Sequence, residues 1–162
     1  MKKIIFSICI LFFLFACNEA EKQKDEIKTT NDPIPFNPPK LEQGFLEKLY
    51  FTQMEIMKNP TSRIHKEKYI FRAYIADRNT LISFGNAKST NPSTGEKNSP
   101  ALIKRAAFLD AKRWATYGLL WLNNDFQPDF GKIKDTHKGI TQELLTFNKG
   151  DSLVIVIASK VR

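Results

Sequence analysis

Residues 99–122 read SPALIKRAAFLDAKRWATYGLLWL, and this stretch predicts the longest helix of the chain. The Ser99 hydroxyl can accept a hydrogen bond from a free amide in the first turn of a helix, and a proline loses nothing at the first helical position. We therefore predict a helix from Pro100 to about Leu122, ended by Asn123. Small residues make up much of its surface and let its backbone approach a sheet closely: Ala101, Ala106, Ala107, Ala111, Ala115 and Gly118.

Two predicted strands precede this helix. Residues 68–76 and 80–87 are rich in Tyr, Ile, Phe and Leu, and Asp77-Arg78-Asn79 between them suits a tight turn. Gly85 within the second run predicts a bulge or a close approach by another element. Residues 88–99 are almost without hydrophobic side chains, which predicts a mobile surface loop.

Two further predicted strands follow the helix. They span residues 139–147 and 152–161 around a turn in which Gly150 is expected to be left-handed. Residues 153–158, Leu-Val-Ile-Val-Ile-Ala, are apolar on both faces, which is typical of a central strand.

An amphipathic helix is predicted before the strands. Within residues 41–58 the apolar side chains recur at helical spacing, and Asn59-Pro60 ends the pattern. The fold class expected is α+β. An antiparallel sheet of about four strands packs on one long alanine-rich helix, with this amino-terminal amphipathic helix beside it.

The first seventeen residues are typical of a bacterial lipoprotein signal. Lys2 and Lys3 precede the apolar stretch 4–16, which as a helix would be about 20 Å long, too short for a hydrocarbon core of about 30 Å. The run ends in Leu-Phe-Ala-Cys, which resembles a lipobox. The resemblance implies that residues 1–16 are removed and that Cys17 carries the lipid. Cys9 would be lost with the signal, so no thiol chemistry is expected.

Residues 17–40 are predicted to be the lipidated cysteine followed by a disordered tether, and residues 41–162 a single α+β domain. The tether is polar, and its last eight residues include four prolines: Pro33, Pro35, Pro38 and Pro39. It has too few apolar residues for their burial to offset the loss of chain entropy on folding. Its early acidic residues fit either a surface-export signal or a solvated charge run: Glu19, Glu21, Asp25 and Glu26.

The second half of the chain resembles a known family. Gly85-x-Ala87, a polar loop and then Arg-Ala-Ala-x-x-Asp-Ala-x-Arg at residues 105–113 look like the Lpp-twenty family of bacterial lipoproteins, whose domain also forms the amino terminus of the flagellar protein FlgT. The resemblance covers about residues 80–162. It implies an alanine-rich helix on a small curved antiparallel sheet, a location in the cell envelope, and an interaction or structural role without catalytic residues.

Asp110 is the most informative residue inside the predicted long helix. On a helical wheel it falls within the apolar arc, where a lone carboxylate would be costly. Its partner could be backbone amides of a neighbouring strand, the nearby Arg113, or a ligand or substrate. We favour the structural reading, a buried carboxylate satisfied within the protein, because buried polar groups are ordinarily satisfied locally.

No pattern for catalysis, a cofactor or a metal is present. The two histidines, His65 and His137, lie far apart in sequence and are expected on the surface, and no nucleotide-binding or nucleophile motif occurs. We therefore expect a protein that is not an enzyme.

The net charge of +8 supports a second interpretation. An excess of basic residues attracts lipid phosphates, polyanionic glycans or nucleic acid, and export makes nucleic acid an unexpected partner. An ordinary solvated surface is the alternative. We expect a lipid-anchored protein of the cell envelope, in the outer membrane on its periplasmic or surface-exposed face, that binds or scaffolds envelope proteins. Candidate anion-binding residues are Arg63, Lys66, Lys68, Arg72, Lys104, Arg105 and Lys112.

Overall fold

The computed structural model describes residues 36–123 and 129–161. The predicted signal, Cys17 and most of the predicted tether lie outside these residues. A compact unit runs over Phe36–Arg162. Phe36 packs against its core, so packed chain begins before the expected domain start at Leu41.

Over the described residues the fold is α+β, with a four-stranded antiparallel sheet and three α-helices. The sheet has the strand order β1-β2-β4-β3, so β4 is central, as its apolar sequence predicts. Gly150 in the turn between β3 and β4 has φ +62°, the left-handed conformation expected there. The elements in chain order are α1 (Gln43–Lys58), α2 (Arg63–Ala73), β1 (Tyr74–Ile75), β2 (Thr80–Lys88), α3 (Pro100–Leu122), β3 (Thr141–Lys149) and β4 (Ser152–Lys160).

Helix α3 lies against one face of the sheet, over the centre of β2. It begins as predicted, because the Ser99 hydroxyl accepts a hydrogen bond of 3.3 Å from the Leu102 amide. Odd-numbered residues of β2 face it: the Ser83 hydroxyl donates to the Ala111 carbonyl at 2.9 Å. A Cβ built on Gly85 would lie 1.9 Å from the Ala107 carbonyl oxygen. Gly85 therefore marks a close approach, while the pairing of β2 with β4 continues past it without a bulge.

Helix α1 lies on the opposite face of the sheet, where the Tyr50 ring contacts the Phe84 ring edge-on at 5.5 Å between centroids. Its fully buried Gln53 also completes the hydrogen bonding of β2. The Gln53 amide donates to the Phe84 carbonyl at 2.7 Å, and its oxygen accepts from the Phe84 amide at 3.1 Å. Since β1 pairs only with residues 80 and 81 of β2, this side chain takes the place of a longer neighbouring strand.

The strand predicted over residues 68–76 is wrong. Residues up to Ala73 belong to α2, and only Tyr74–Ile75 pair with β2. Lys66, Tyr69 and Ala73 are buried at helical spacing. Packing of the Tyr69 ring against Trp114, at 5.5 Å between centroids, thus outweighs the aromatic and β-branched composition of the run.

The loop between β2 and α3 is hydrogen-bonded within itself. The Asn98 amide donates to the Ser89 carbonyl and the Asn91 amide to the Glu96 carbonyl, each at 2.8 Å. These bonds give the predicted surface loop a defined conformation of its own.

Among the described residues, no helix combines the length and apolar character that crossing a bilayer requires.

Candidate functional site: an apolar groove between α1 and β3

Asp110 on α3 accepts a hydrogen bond from a backbone amide of β2. A backbone amide of a neighbouring strand is one of the partners that the sequence suggests. Its Oδ2 accepts a hydrogen bond of 3.0 Å from the Asn86 amide, and its Oδ1 lies 3.7 Å from Arg113 Nη1. Burial raises the pKa of this carboxyl above its ordinary value, while the Asn86 amide and the Arg113 charge lower it. The arrangement joins α3 to β2, with the carboxylate held by groups of the protein itself.

The seven candidate anion-binding residues lie on two helices, four on α2 and three on α3. Arg63 pairs with Glu67 at 2.6 Å, and Lys104 pairs with Glu143 at 3.2 Å. The Arg72 guanidinium donates to the Thr52 hydroxyl of α1. Of the other four, Lys68, Arg105 and Lys112 lie outside these ion pairs, and Lys66 forms an ion pair of its own with Asp129.

Lys66 cannot serve as an exposed anion-binding residue. Its side chain is 6% exposed, and its Nζ lies 2.8 Å from Asp129 Oδ1 and 5.7 Å from the centre of the Trp121 ring. The hydrogen bond and charge of Lys66 lower the pKa of Asp129. This ion pair joins α2 to the chain that follows α3, so its role is structural.

An apolar concavity suited to a ligand lies between α1 and the outer strand β3. It has a volume of about 490 Å³, within the usual range of ligand sites. An adjoining depression of about 390 Å³ shares three of its wall residues and extends toward residues 37–40. The main walls of the groove are Leu41, Leu46, Tyr50, Phe84, Leu145 and Phe147.

The sheet register explains why these walls face the same way. Phe84 of β2 and Leu145 of β3 are both paired with Val156 of β4, and directly paired residues share a face of the sheet. A bulge in β3 between Glu143 and Leu145 sets this register. The Tyr50 hydroxyl closes one side by donating to the Asn86 side chain at 3.2 Å.

Polar groups at the groove are few. Gln43 donates to Glu47 at 3.1 Å on the α1 side. Lys149 lies at the end of β3, with its Nζ 3.9 Å from the centre of the Tyr50 ring and 5.0 Å from that of Phe51. Apolar walls with one cation held on aromatic rings suit the binding of a ligand.

The described part of the chain contains no group of three or more His, Cys, Asp or Glu placed to hold a metal ion. His65 and His137, expected on the surface, are each half-buried, and His65 Nδ1 lies 2.7 Å from the Ser62 hydroxyl.

Comparison with protein-family models, with curated proteins and with solved structures finds no match for this chain.

Sequence reasoning did not find the groove. Its walls come from three elements that are far apart in the sequence, and Leu145 and Phe147 look like ordinary positions of an alternating strand. Leu145 is 44% exposed at the outer strand, a feature that only the structure shows.

Proposed function

We propose that this protein is a lipid-anchored envelope lipoprotein whose domain has a non-enzymatic binding role, with the groove between α1 and β3 as its binding face. The observation that carries the binding role is the groove itself: about 490 Å³ of space with aromatic and aliphatic walls. The resemblance of residues 80–162 to the Lpp-twenty family supports the same class of function. The lipobox-like sequence ending in Cys17 supports the anchor and the outer-membrane location.

Site-specific photo-crosslinking in intact cells tests the binding role. A photoreactive amino acid at position 145 lies in the groove wall, and the same residue at position 102 is a matched control, because Leu102 is 54% exposed on α3. We expect an adduct at position 145 that persists in high salt, and none at position 102. Equal labelling at both positions, or labelling at neither, would contradict the proposal.

A second candidate function is the binding of anionic envelope ligands, in particular lipid phosphates, by the outer face of α2. Ile64 and Phe71 are 72% and 87% exposed, and the helical spacing places Lys68 between them. Exposed apolar side chains flanked by a cation are typical of helices that lie on an anionic membrane surface. Lys66 does not belong to this surface, because its side chain is buried. Lipid phosphates fit the surface better than glycans, because a glycan would contact the cations but not the apolar side chains.

A spin label tests this second function. In the lipidated chain carrying Phe71→Cys, we expect the label to move out of water on vesicles that contain phosphatidylglycerol, and to stay in water on neutral vesicles. A label introduced by Leu102→Cys should stay in water on both. The same environment for the Phe71→Cys label on both vesicles would contradict lipid binding by α2.

A further inference from the structure

Lys149 lines one end of the groove, and Lys88 lies beside that end on the same face of the sheet. Lys88 of β2 and Lys149 of β3 are both paired with Ser152 of β4, so the three side chains form a row on one face of the sheet. Two strand spacings separate the lysines by about 10 Å. Alternation along β2 places Lys88 on the same face as Phe84, the face that lines the groove.

No carboxylate of the described residues forms an ion pair with either lysine. Lys149 instead rests on the rings of Tyr50 and Phe51. Glu47 also lines the groove on the α1 side, but its carboxylate accepts from Gln43 and forms no ion pair with either lysine. Asp151 accepts from the Ser152 hydroxyl at 3.1 Å in the turn. An anionic group from outside would therefore complement this end of the groove.

The walls that lead away from the lysines are mainly apolar, with Gln43 and Glu47 as polar members on the α1 side. A peptide laid along them would bring one amide N–H and one carbonyl per residue, each needing a hydrogen-bond partner, whereas an alkyl chain needs none. The aliphatic and aromatic side chains of the walls offer no hydrogen-bond partner: Leu46, Phe84 and Leu145. The groove thus combines an alkyl-compatible body with a cationic end.

We propose that the groove binds a single-chain amphiphile with an anionic head, such as a fatty acid. The alkyl chain lies against Leu46, Phe84 and Leu145, and the carboxylate lies between Lys149 and Lys88. This assignment of the ligand class rests on the proposed role of the groove as the binding face.

Calorimetric titration of the full chain with decanoate and with decan-1-ol tests the ligand class, since the two differ only in the charged head. We expect decanoate to bind more tightly, and Lys149→Gln to weaken decanoate by about tenfold, the loss of one charge-assisted hydrogen bond, while leaving decan-1-ol unchanged. Lys149→Arg should retain decanoate affinity, which controls for folding. Leu145→Asp should abolish binding of both ligands, whereas Leu102→Asp on α3 should affect neither.

Equal affinity for the two ligands, an affinity ratio unchanged by Lys149→Gln, or no binding of either ligand would overturn the amphiphile assignment. A protein adduct at position 145 together with no decanoate binding would overturn it while retaining the proposed binding role. The two proposals therefore fail separately.

Discussion

Gly85 of β2 lies directly against the backbone of Ala107 in α3, so closely that a Cβ on Gly85 would be 1.9 Å from the Ala107 carbonyl oxygen and 2.2 Å from the Ala111 amide nitrogen. These neighbours are main-chain atoms of a helix, which cannot rotate aside as a side chain can. The contact depends on two small residue types, glycine in the strand and alanine in the helix. It fixes α3 at an unusually short distance from the sheet.

Gly85→Ala should push α3 away from β2. We expect the free energy of unfolding to fall by about 3 kcal/mol, the upper end of the usual cost of overpacking. Gly44→Ala in α1 is the matched control, because nothing lies within 4 Å of its built Cβ, and it should gain about 0.5 kcal/mol. Denaturant unfolding measures both, and equal stabilities of the two variants would refute the close contact.

Gln53→Leu should leave the amide and carbonyl of Phe84 without their partners in a buried position. The expected loss is about 2–4 kcal/mol in the free energy of unfolding, since two buried groups become unsatisfied. Gln43→Leu makes the same change at an exposed position of α1 and should stay within about 0.5 kcal/mol of wild type. If the Gln53 variant matched the Gln43 variant, the side chain would not be completing the edge of β2.

Asp110→Ala should lower the free energy of unfolding by about 1 kcal/mol, because the Asn86 amide loses its acceptor at a partly exposed site. Asp110→Asn should cost less, since its amide oxygen can still accept. Thermal unfolding of both variants and of wild type tests this order, and a wild-type melting temperature for Asp110→Ala would remove the structural role.

The same carboxyl also predicts a pH dependence. Its native pKa is raised above the reference value of 3.8, chiefly by burial. A group of this kind contributes stability that is present in full below pH 3.8 and is lost as pH rises through the native pKa. Relative to Asp110→Asn, which does not titrate, wild type should therefore lose stability as the pH rises from 3.8 through the native pKa of Asp110. A constant difference between the two proteins would contradict it.

The ion pair of Lys66 and Asp129 should show strong coupling. Asp129→Asn leaves the buried ammonium of Lys66 without its counter-ion and should be clearly destabilising, whereas Lys66→Met with Asp129→Asn should restore much of the loss. A double-mutant cycle measures the coupling, and additive effects would contradict the pair.

Acid should also weaken this pair. The native pKa of Asp129 lies below 3.8, mainly because Lys66 donates a hydrogen bond to it. Its contribution is present above pH 3.8 and is lost as pH falls through the native pKa. As the pH falls, wild type should therefore lose a part of its free energy of unfolding that Asp129→Asn does not lose. Identical dependence of the two proteins' stability on acid would contradict this prediction.

Local signals were sufficient for several elements. Ser99 and Pro100 mark the start of α3 through capping and backbone chemistry, and Gly85 marks a close approach because it has no side chain. The apolar run in β4 identifies the central strand, because a strand that is covered on both faces is apolar on both faces. Each of these features is encoded by a few neighbouring residues.

Features that depend on distant contacts were not predictable in this way. Tyr69 favours a strand by its type, yet it is helical because it packs on Trp114 of α3. Lys66 looks like a surface cation, but its partner Asp129 lies 63 positions along the chain. The groove depends on the register that brings Leu145 and Phe84 onto one face. Composition and periodicity carry no information about such pairings.

Palmitate labelling of growing cells tests the lipid anchor, and with it the envelope location, most directly. Wild type is expected to incorporate label, to lack residues 1–16 and to sediment with membranes, while Cys17→Ala should incorporate none. Recovery of the wild-type chain with its amino terminus intact and unlabelled, in the soluble fraction of the cell interior, would contradict it.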